Sequence, residues 1–406
     1  MISADEAVEI ILEHTEELQT EVVNLPESLG RVLAADIRAT EDIPPFDNSS
    51  MDGFALRSID TRSATASSPI KLSIVGVGPA GEAACLEVLP GTTVRIMTGA
   101  QLPVNADAVL QQELAEEGEG SILVSAPVGV GTNVRAKGED IVSGEGVLAR
   151  GTRLRAGQLG VLASIGSSRV VVFKKPKVGI LTTGNELVGV EDRLSSGKIR
   201  NSNAHTLMAL VQESGGLGVD LGVAKDDEAD LVRRIQIGLD NDLLITSGGV
   251  SVGKYDYVLD AIRTAGVDLK FRKVNIKPGM PLAFGIFKSG GKSIPVFCLP
   301  GNPVSTMVTF IEFIRPCLKK MTAMERGSES YRFRAALEHS IQKNDGKRHF
   351  HRGIVVLKNG KPTVRSTGNQ SSGILTSMVK ANCLITLPEE QTLLQPGEEV
   401  EVELLT

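Results

Sequence analysis

The sequence predicts a multidomain protein of mixed α/β and β class. A doubly wound parallel α/β domain is joined to a β-rich inserted domain, a mixed N-terminal linker domain and a small C-terminal β-barrel-like domain. Three observations predict this. Between residues 178 and 262, apolar runs at 178–181, 219–223 and 243–245 alternate with helix-like stretches at 204–211 and 231–239, the pattern of parallel strands joined by crossover helices. On either side, at 70–134 and 331–406, short apolar runs are separated by Gly, Pro and Asn, the pattern of short strands. The length of 406 residues also exceeds what one hydrophobic core organises, since domains usually span about 100–150 residues.

In chain order, Ser3 and Glu6 form a capping-box pattern ahead of Ala7, Val8, Ile11 and Leu12, which share one helical face. Pro26 reads as the start of a second helix, with Leu29 and Val32 turned to a core. Residues 1–44 then form the first part of the N-terminal domain, closed by Pro44 and Pro45. Residues 45–134 form the inserted domain, with strands at 72–77, 93–97, 108–111 and 122–124. Residues 135–173 complete the N-terminal domain with a helix at 157–165. Lys174, Lys175, Pro176 and Lys177 mark a linker into the α/β domain, residues 174–324. The terminal β domain, residues 325–406, carries strands at 333–337, 354–357, 362–364, 384–387 and 400–404, with Asn359-Gly360 as a hairpin turn. His349 and His351 face one side of a strand, and without a third ligand they read as surface polar residues rather than a metal pair.

Composition excludes several function classes. A formal charge of −6 argues against nucleic acid as a partner, because phosphate-backbone binding relies on a basic face. Cys85, Cys298, Cys317 and Cys383 lack metal-site spacing and are too few for a disulfide framework. Cys298 reads as a small buried hydrophobe in a strand. The start of the chain has no basic region, and no apolar run approaches the roughly 18–20 residues of a membrane span. A cytoplasmic protein without a membrane partner is expected.

The chemistry concentrates between residues 242 and 303. The apolar run 243–245 breaks into Ser247, Gly248, Gly249, Ser251 and Gly253 before a helix-like Val258, Leu259 and Ile262. Glycines let backbone N–H groups approach a ligand, and a following helix N-terminus favours negative charge, so this loop suits a phosphate. Lys273 and Lys277 precede a Pro278-Gly279 turn, and a further apolar run ends in Pro300-Gly301-Asn302-Pro303. In an open parallel sheet such loops converge outside the carboxyl ends of the strands. Thr183, Gly184, Asn185 and Glu186 follow another strand there, as do Asp226 and Asp227, although Asp227 serves equally well as a helix N-cap and Asp226 as a turn residue. Asp47, Asn48, Ser50 and Asp52 lie within six residues, a density typical of turns.

These blocks closely resemble the molybdopterin molybdenumtransferase family, the MoeA-type enzymes related to the E domain of gephyrin. The resemblance rests on residues 247–256, Lys277-Pro278-Gly279 and 299–303, and on Pro45 to Ala55 and Arg95 to Ala100 in the first half. It implies adenylated molybdopterin and molybdate as substrates, Mg²⁺ as cofactor, and molybdate insertion into the dithiolene with release of AMP. Asp52, Thr98, Asp140, Glu186, Asp226 and Asp256 match its catalytic positions, Glu186 and Asp256 doubling as Mg²⁺ ligands. Gly248, Gly249, Ser251, Gly253, Lys273, Lys277, Pro300, Pro303, Arg352 and Ser372 match its substrate-binding positions. Asp140 is preferred to its neighbour Glu139, whereas Arg135 and Lys137 read equally as surface charges. The family assembles its site in a homodimer, the β insertion and terminal β domain of one subunit meeting the α/β domain of the other. A molybdopterin adenylyltransferase is the candidate donor.

Two positions depart from the family pattern: Met280 stands at a usual lysine, and Phe54 where Tyr is frequent. Two alternative functions compete. A molybdopterin adenylyltransferase needs only the α/β domain, leaving the Asp52 and Thr98 blocks and the terminal domain without use. A gephyrin-like scaffold would call for a long linker and a companion domain, and this chain has neither.

Overall fold

The computed structural model describes residues 1–83, 85–225, 227–249, 257–324 and 332–405. At its centre a six-stranded sheet runs in the order Leu217–Ala224, Lys177–Thr183, Leu243–Ser247, Lys292–Leu299, Ala283–Ser289, Asp268–Phe271. The first four strands are mutually parallel, so their carboxyl ends share one edge. Ala283–Ser289 runs antiparallel to both its neighbours, because Gly290 and Gly291 both take left-handed φ and turn the chain back as a two-residue hairpin, and Asp268–Phe271 again runs with the first four. The expected wound sheet is therefore present, with an antiparallel border.

Alternation along these strands sends side chains to opposite faces. Leu181, Leu244 and Val296 pack on Leu231 and Ile235 of the helix Glu228–Gly238 and on Val258 and Ile262 of the helix Tyr257–Thr264. Val178, Ile180, Leu243, Ile245 and Phe297 face the other way, toward Leu207 and Val211 of the helix Ser202–Glu213. The N-terminal helix Ala4–Glu13 adds Ala7 and Ile11 to this second layer, and its Ser3 Oγ accepts from the Glu6 amide at 3.1 Å.

The terminal strands close on themselves. In the order Arg348–Lys358, Lys361–Ser366, Arg332–Leu337, Glu399–Leu404, Cys383–Leu387 they return to Arg348–Lys358 as a five-stranded barrel around Leu337, Val364, Ile385 and Val402. Asn359 and Gly360, both left-handed, form the expected hairpin turn. The short strand Ile276–Lys277 of the α/β half pairs in parallel with Arg348 and His349, stitching barrel to sheet within one chain.

In the first half a second six-stranded sheet surrounds Phe54, Leu56, Leu72, Leu110 and Ile122. Beside it, Thr20–Asn24 pairs with Arg169–Phe173 under the helix Ala156–Ser164. The helix expected from Pro26 is only a 3-10 turn, Leu25–Ser28, and Leu29 is exposed. Gly30, at φ +76°, stops it after one turn.

Candidate active site

A cleft of about 680 Å³ opens at the carboxyl ends of the parallel strands. Three strand-end turns build its floor, and the first two depend on glycines. After Lys177–Thr183, Gly184 at φ +144° lets the Glu186 carboxylate fold back, and a Cβ there would meet both carboxylate oxygens at 2.6 Å. After Leu243–Ser247, Gly248 at φ +102° passes so close to the preceding turn that a Cβ would stand 2.5 Å from the Thr183 carbonyl oxygen. Gly249, at φ +69°, sits against Val258, whose Cγ2 would be 2.4 Å from an added Cβ. The third turn, Pro300 to Pro303, leads into the helix Pro303–Thr309 and is braced by Thr306 Oγ1, which donates to the Pro300 carbonyl at 2.7 Å.

One wall comes from residues that the sequence reading passed over. Asn201 caps the helix Ser202–Glu213 by accepting from the Ala204 amide, and its Nδ2 donates to Thr182 Oγ1 at 2.8 Å. Asn203 Nδ2 donates to both Ser247 Oγ and the Gly301 carbonyl at 2.9 Å, tying two of the turns together. Arg200 also lines the cleft, its guanidinium hydrogen-bonded to the carbonyls of Val190 and Asp192. The available signal was the pair of asparagines flanking Ser202 at a helix start, a capping pattern adjoining a strand-end loop. Of the site residues expected from the sequence, Glu186, Gly248, Gly249, Pro300 and Pro303 line this cleft. Asp226, Ser251, Gly253 and Asp256 lie outside the described residues. Asp227 is an N-cap, accepting from the Asp230 amide at 2.9 Å.

The barrel contributes a cation-rich rim. Ser372 accepts at its carbonyl from the Val304 amide at 3.2 Å, immediately beyond Pro303. Arg352 is fully buried and donates to Ser377 Oγ and to the carbonyls of Phe350 and Ser371. These acceptors are neutral, and burial presses its guanidinium down to about 10. Lys277 forms an ion pair with Asp345 at 3.3 Å, and Asp345 accepts from His349 Nε2 at 2.7 Å. His349 is buried, which corrects the reading of His349 and His351 as surface residues. Pairing of Arg348–Lys358 with Ile276–Lys277 covers this end of the strand, and burial pushes His351 down to about 3, so both imidazoles are neutral near pH 7. Lys347 Nζ reaches Met280 Sδ at 3.5 Å. Lys273 is exposed beside this rim, its carbonyl accepting from the Ile2 amide.

The first-half residues form a separate assembly. Asp52 Oδ1 accepts from the Thr98 amide at 2.7 Å and from Thr98 Oγ1 at 2.8 Å, and these bonds hold its carboxyl below the usual range. The Asp140 amide donates to the Ile43 carbonyl, and the neighbouring Val134–Arg135 strand pairs with Asn48–Ser49, so Asp140 belongs to the same loop cluster. None of the three lines the cleft of its own chain. The terminal barrel, in contrast, meets the α/β unit in cis through Val304–Ser372 and Lys277–His349.

The donor chemistry fits Mg²⁺. This ion takes one or two carboxylates together with substrate phosphates and retains water, and Glu186 presents an exposed carboxylate beside the glycine turn. Among the described residues no group of three or more His, Cys, Asp or Glu forms a protein-only metal cage.

Comparison with known proteins agrees along the whole chain. Residues 2–166 match the family described as the MoeA N-terminal region (domain I and II), residues 179–320 a probable molybdopterin binding domain, and residues 334–405 the MoeA C-terminal region (domain IV). A molybdopterin molybdenumtransferase of Haemophilus influenzae is 37% identical over 99% of this chain and 98% of its own length. One from a Nostoc species is 34% identical over 94% and 88%. The crystal structure of the molybdopterin biosynthesis moeA protein of Pyrococcus horikoshii superimposes with a TM-score of 0.85 at 34% identity, covering 100% of both chains.

Proposed function

The chain belongs to the molybdopterin molybdenumtransferase family and is a transferase of molybdenum cofactor biosynthesis; from that premise we propose how its residues divide the work of inserting molybdate into molybdopterin. The observation carrying the reading is the junction of two features: a floor of glycine turns and, joined to it through Val304 and Ser372, a rim that carries Lys277, ion-paired with Asp345, and the buried Arg352.

The adenylated pterin places its phosphates over Gly248 and Gly249, where the Arg200 guanidinium offers donors, the Gly248 amide being engaged with the Leu299 carbonyl at 3.1 Å. Molybdate, a dianion, is drawn to Lys277 and Arg352 beside Ser372. Arg352 suits this task because its buried positive charge is held by neutral acceptors and gains most from an anion. Lys347, standing against Met280, supplies the cation that the family pattern puts at position 280. Pro300 and Pro303 shape the turn between the two anion sites, and Lys273 adds charge at the entrance. Glu186, with Asp256, provides the carboxylates for Mg²⁺, whose charge offsets that of the phosphoanhydride oxygens. Asp226 is assigned a catalytic role in this reading, and Ser251 and Gly253 a role in binding the substrate.

Asp52, Thr98 and Asp140 reach this site from a second copy of the chain, so the functional unit is a homodimer. Their position on a loop cluster away from the cis cleft supports that arrangement. We place the protein in the cytoplasm, supported by four free cysteines, three of them buried; no described helix is long and apolar enough to cross a membrane. The donor of adenylated molybdopterin would be an adenylyltransferase. An adenylyltransferase or scaffold role for the chain itself is not favoured, because the match extends through the N-terminal and C-terminal regions. Incubation with adenylated molybdopterin, Mg²⁺ and molybdate should release AMP. An absence of release with any oxyanion would remove this reading.

A further inference from the structure

Thr183 ends the strand Lys177–Thr183 and is 3% exposed, and its Oγ1 is a buried polar atom without a hydrogen-bond partner among the described residues. The adjacent Thr182 is fully engaged, donating to the Gly222 carbonyl and accepting from Asn201. Thr183 points to the opposite face of the strand, into the cleft, where both glycines of the second turn leave it room. A Cβ on Gly248 would come within 2.9 Å of Thr183 Oγ1, and one on Gly249 within 3.0 Å. The hydroxyl is thus buried beneath two residues whose lack of side chains leaves it uncrowded. A buried hydroxyl with no partner destabilises the folded chain, and a valine of the same shape would not. Such a group is retained at no cost only where something else completes its bonding.

We propose that Thr183 is a substrate-contacting residue whose hydroxyl donates to a phosphoryl oxygen of the pterin substrate seated over Gly248 and Gly249. The inference rests on the placement of the phosphates in this cleft and adds a specificity element to it. An anionic oxygen is the strongest acceptor available to a neutral O–H, and a pterin lacking the phosphate leaves the donor unsatisfied. Thr183 therefore selects phosphorylated over dephosphorylated pterin.

The test compares wild type with Thr183→Val and Thr183→Ser in two measurements, pterin binding and thermal unfolding. Thr183→Val should weaken binding of molybdopterin by roughly 10- to 100-fold while leaving the dephosphorylated form unchanged. It should melt at or above the wild-type temperature, and Thr183→Ser should restore the discrimination. Equal affinity of wild type and Thr183→Val for the phosphorylated form would overturn the assignment. So would a lowered melting temperature in Thr183→Val, since that would reveal a structural partner for the hydroxyl. If wild type itself neither binds the pterin nor releases AMP, the functional reading fails instead, which keeps the two failures distinct.

Discussion

At the scale of single residues, chemistry and fold ask different things of the same side chain, and Asp52 illustrates the conflict. Its carboxylate is exposed yet accepts two hydrogen bonds from Thr98, amide and hydroxyl. Those bonds favour the ionised form, so the Asp52 interaction is complete above the unfolded carboxyl range and is lost only as pH falls below 3.8 through its lowered folded value. Asp52 is consequently a pre-oriented anion at neutral pH, the form in which the proposed function uses it. Asp52→Asn retains the size but loses the charge, and one of its two amide orientations would turn N–H groups toward the Thr98 donors. We expect AMP release to fall by roughly 100- to 1000-fold, the scale of one positioned acid–base or electrostatic group. The pH at which activity collapses on the acid side should shift as well, measured by initial rates between pH 3 and 7. The sequence showed Asp52 and Thr98 only as two separate blocks. Nothing in either block states that they bond to each other, because that contact is made by pairing of Gly53–Leu56 with Thr92–Ile96.

At the scale of elements, the strand-end turns decide whether there is a site at all. Gly248 combines a left-handed φ with a backbone carbonyl 2.5 Å from where a side chain would begin, so neither rotamer change nor side-chain motion relieves an alanine there. Gly248→Ala should cost about 1–3 kcal/mol, read from urea or thermal unfolding, and should abolish pterin binding even where the fold survives. Gly184→Ala meets the movable end of Glu186 instead, so its effect should fall more on catalysis than on stability. These turns were legible in advance because glycine punctuation after an apolar run has one main physical meaning, a backbone that must bend where Cβ would obstruct. The barrel closure and the cis contact between Val304 and Ser372 were not legible, since local periodicity carries no information about which strand meets which. Thr183 was missed for a related reason. A threonine near a strand end is ordinary in sequence, and only its burial beneath two distant glycines makes its hydroxyl unusual. Asn203 is similar, because its role of tying Ser247 to Gly301 exists only once three strands lie side by side.

At the scale of the whole molecule, the junction between α/β unit and barrel is electrostatic. Glu312 is buried, and its Oε2 accepts from Arg332 at 3.1 Å while Arg332 and Arg315 also engage Glu403 and Glu401 lies near. Burial, then the neighbouring Glu403 charge, raise Glu312 to about 7. A raised carboxyl favours the folded state most when protonated, so its contribution is present below about 4.5 and declines as pH rises toward 7. Glu312→Gln should remove that decline, gaining on the order of 1–3 kcal/mol at pH 8 relative to wild type and little at pH 5. The same barrel that is latched there carries Arg352 and Ser372, and in the proposed arrangement Asp52, Thr98 and Asp140 come from a second subunit. That division makes a sharp genetic prediction. In a mixture of Asp52→Ala and Glu186→Ala chains, each inactive alone, a mixed dimer contains one site built from intact Glu186 and the intact Asp52 of the partner subunit. Its other site carries both lesions. Random pairing makes half of the dimers mixed, each with one of two sites restored, so AMP release should recover to about a quarter of the wild-type rate in a closed twofold assembly. If both residues served a site within one chain, mixing would restore nothing, because every site would carry a lesion.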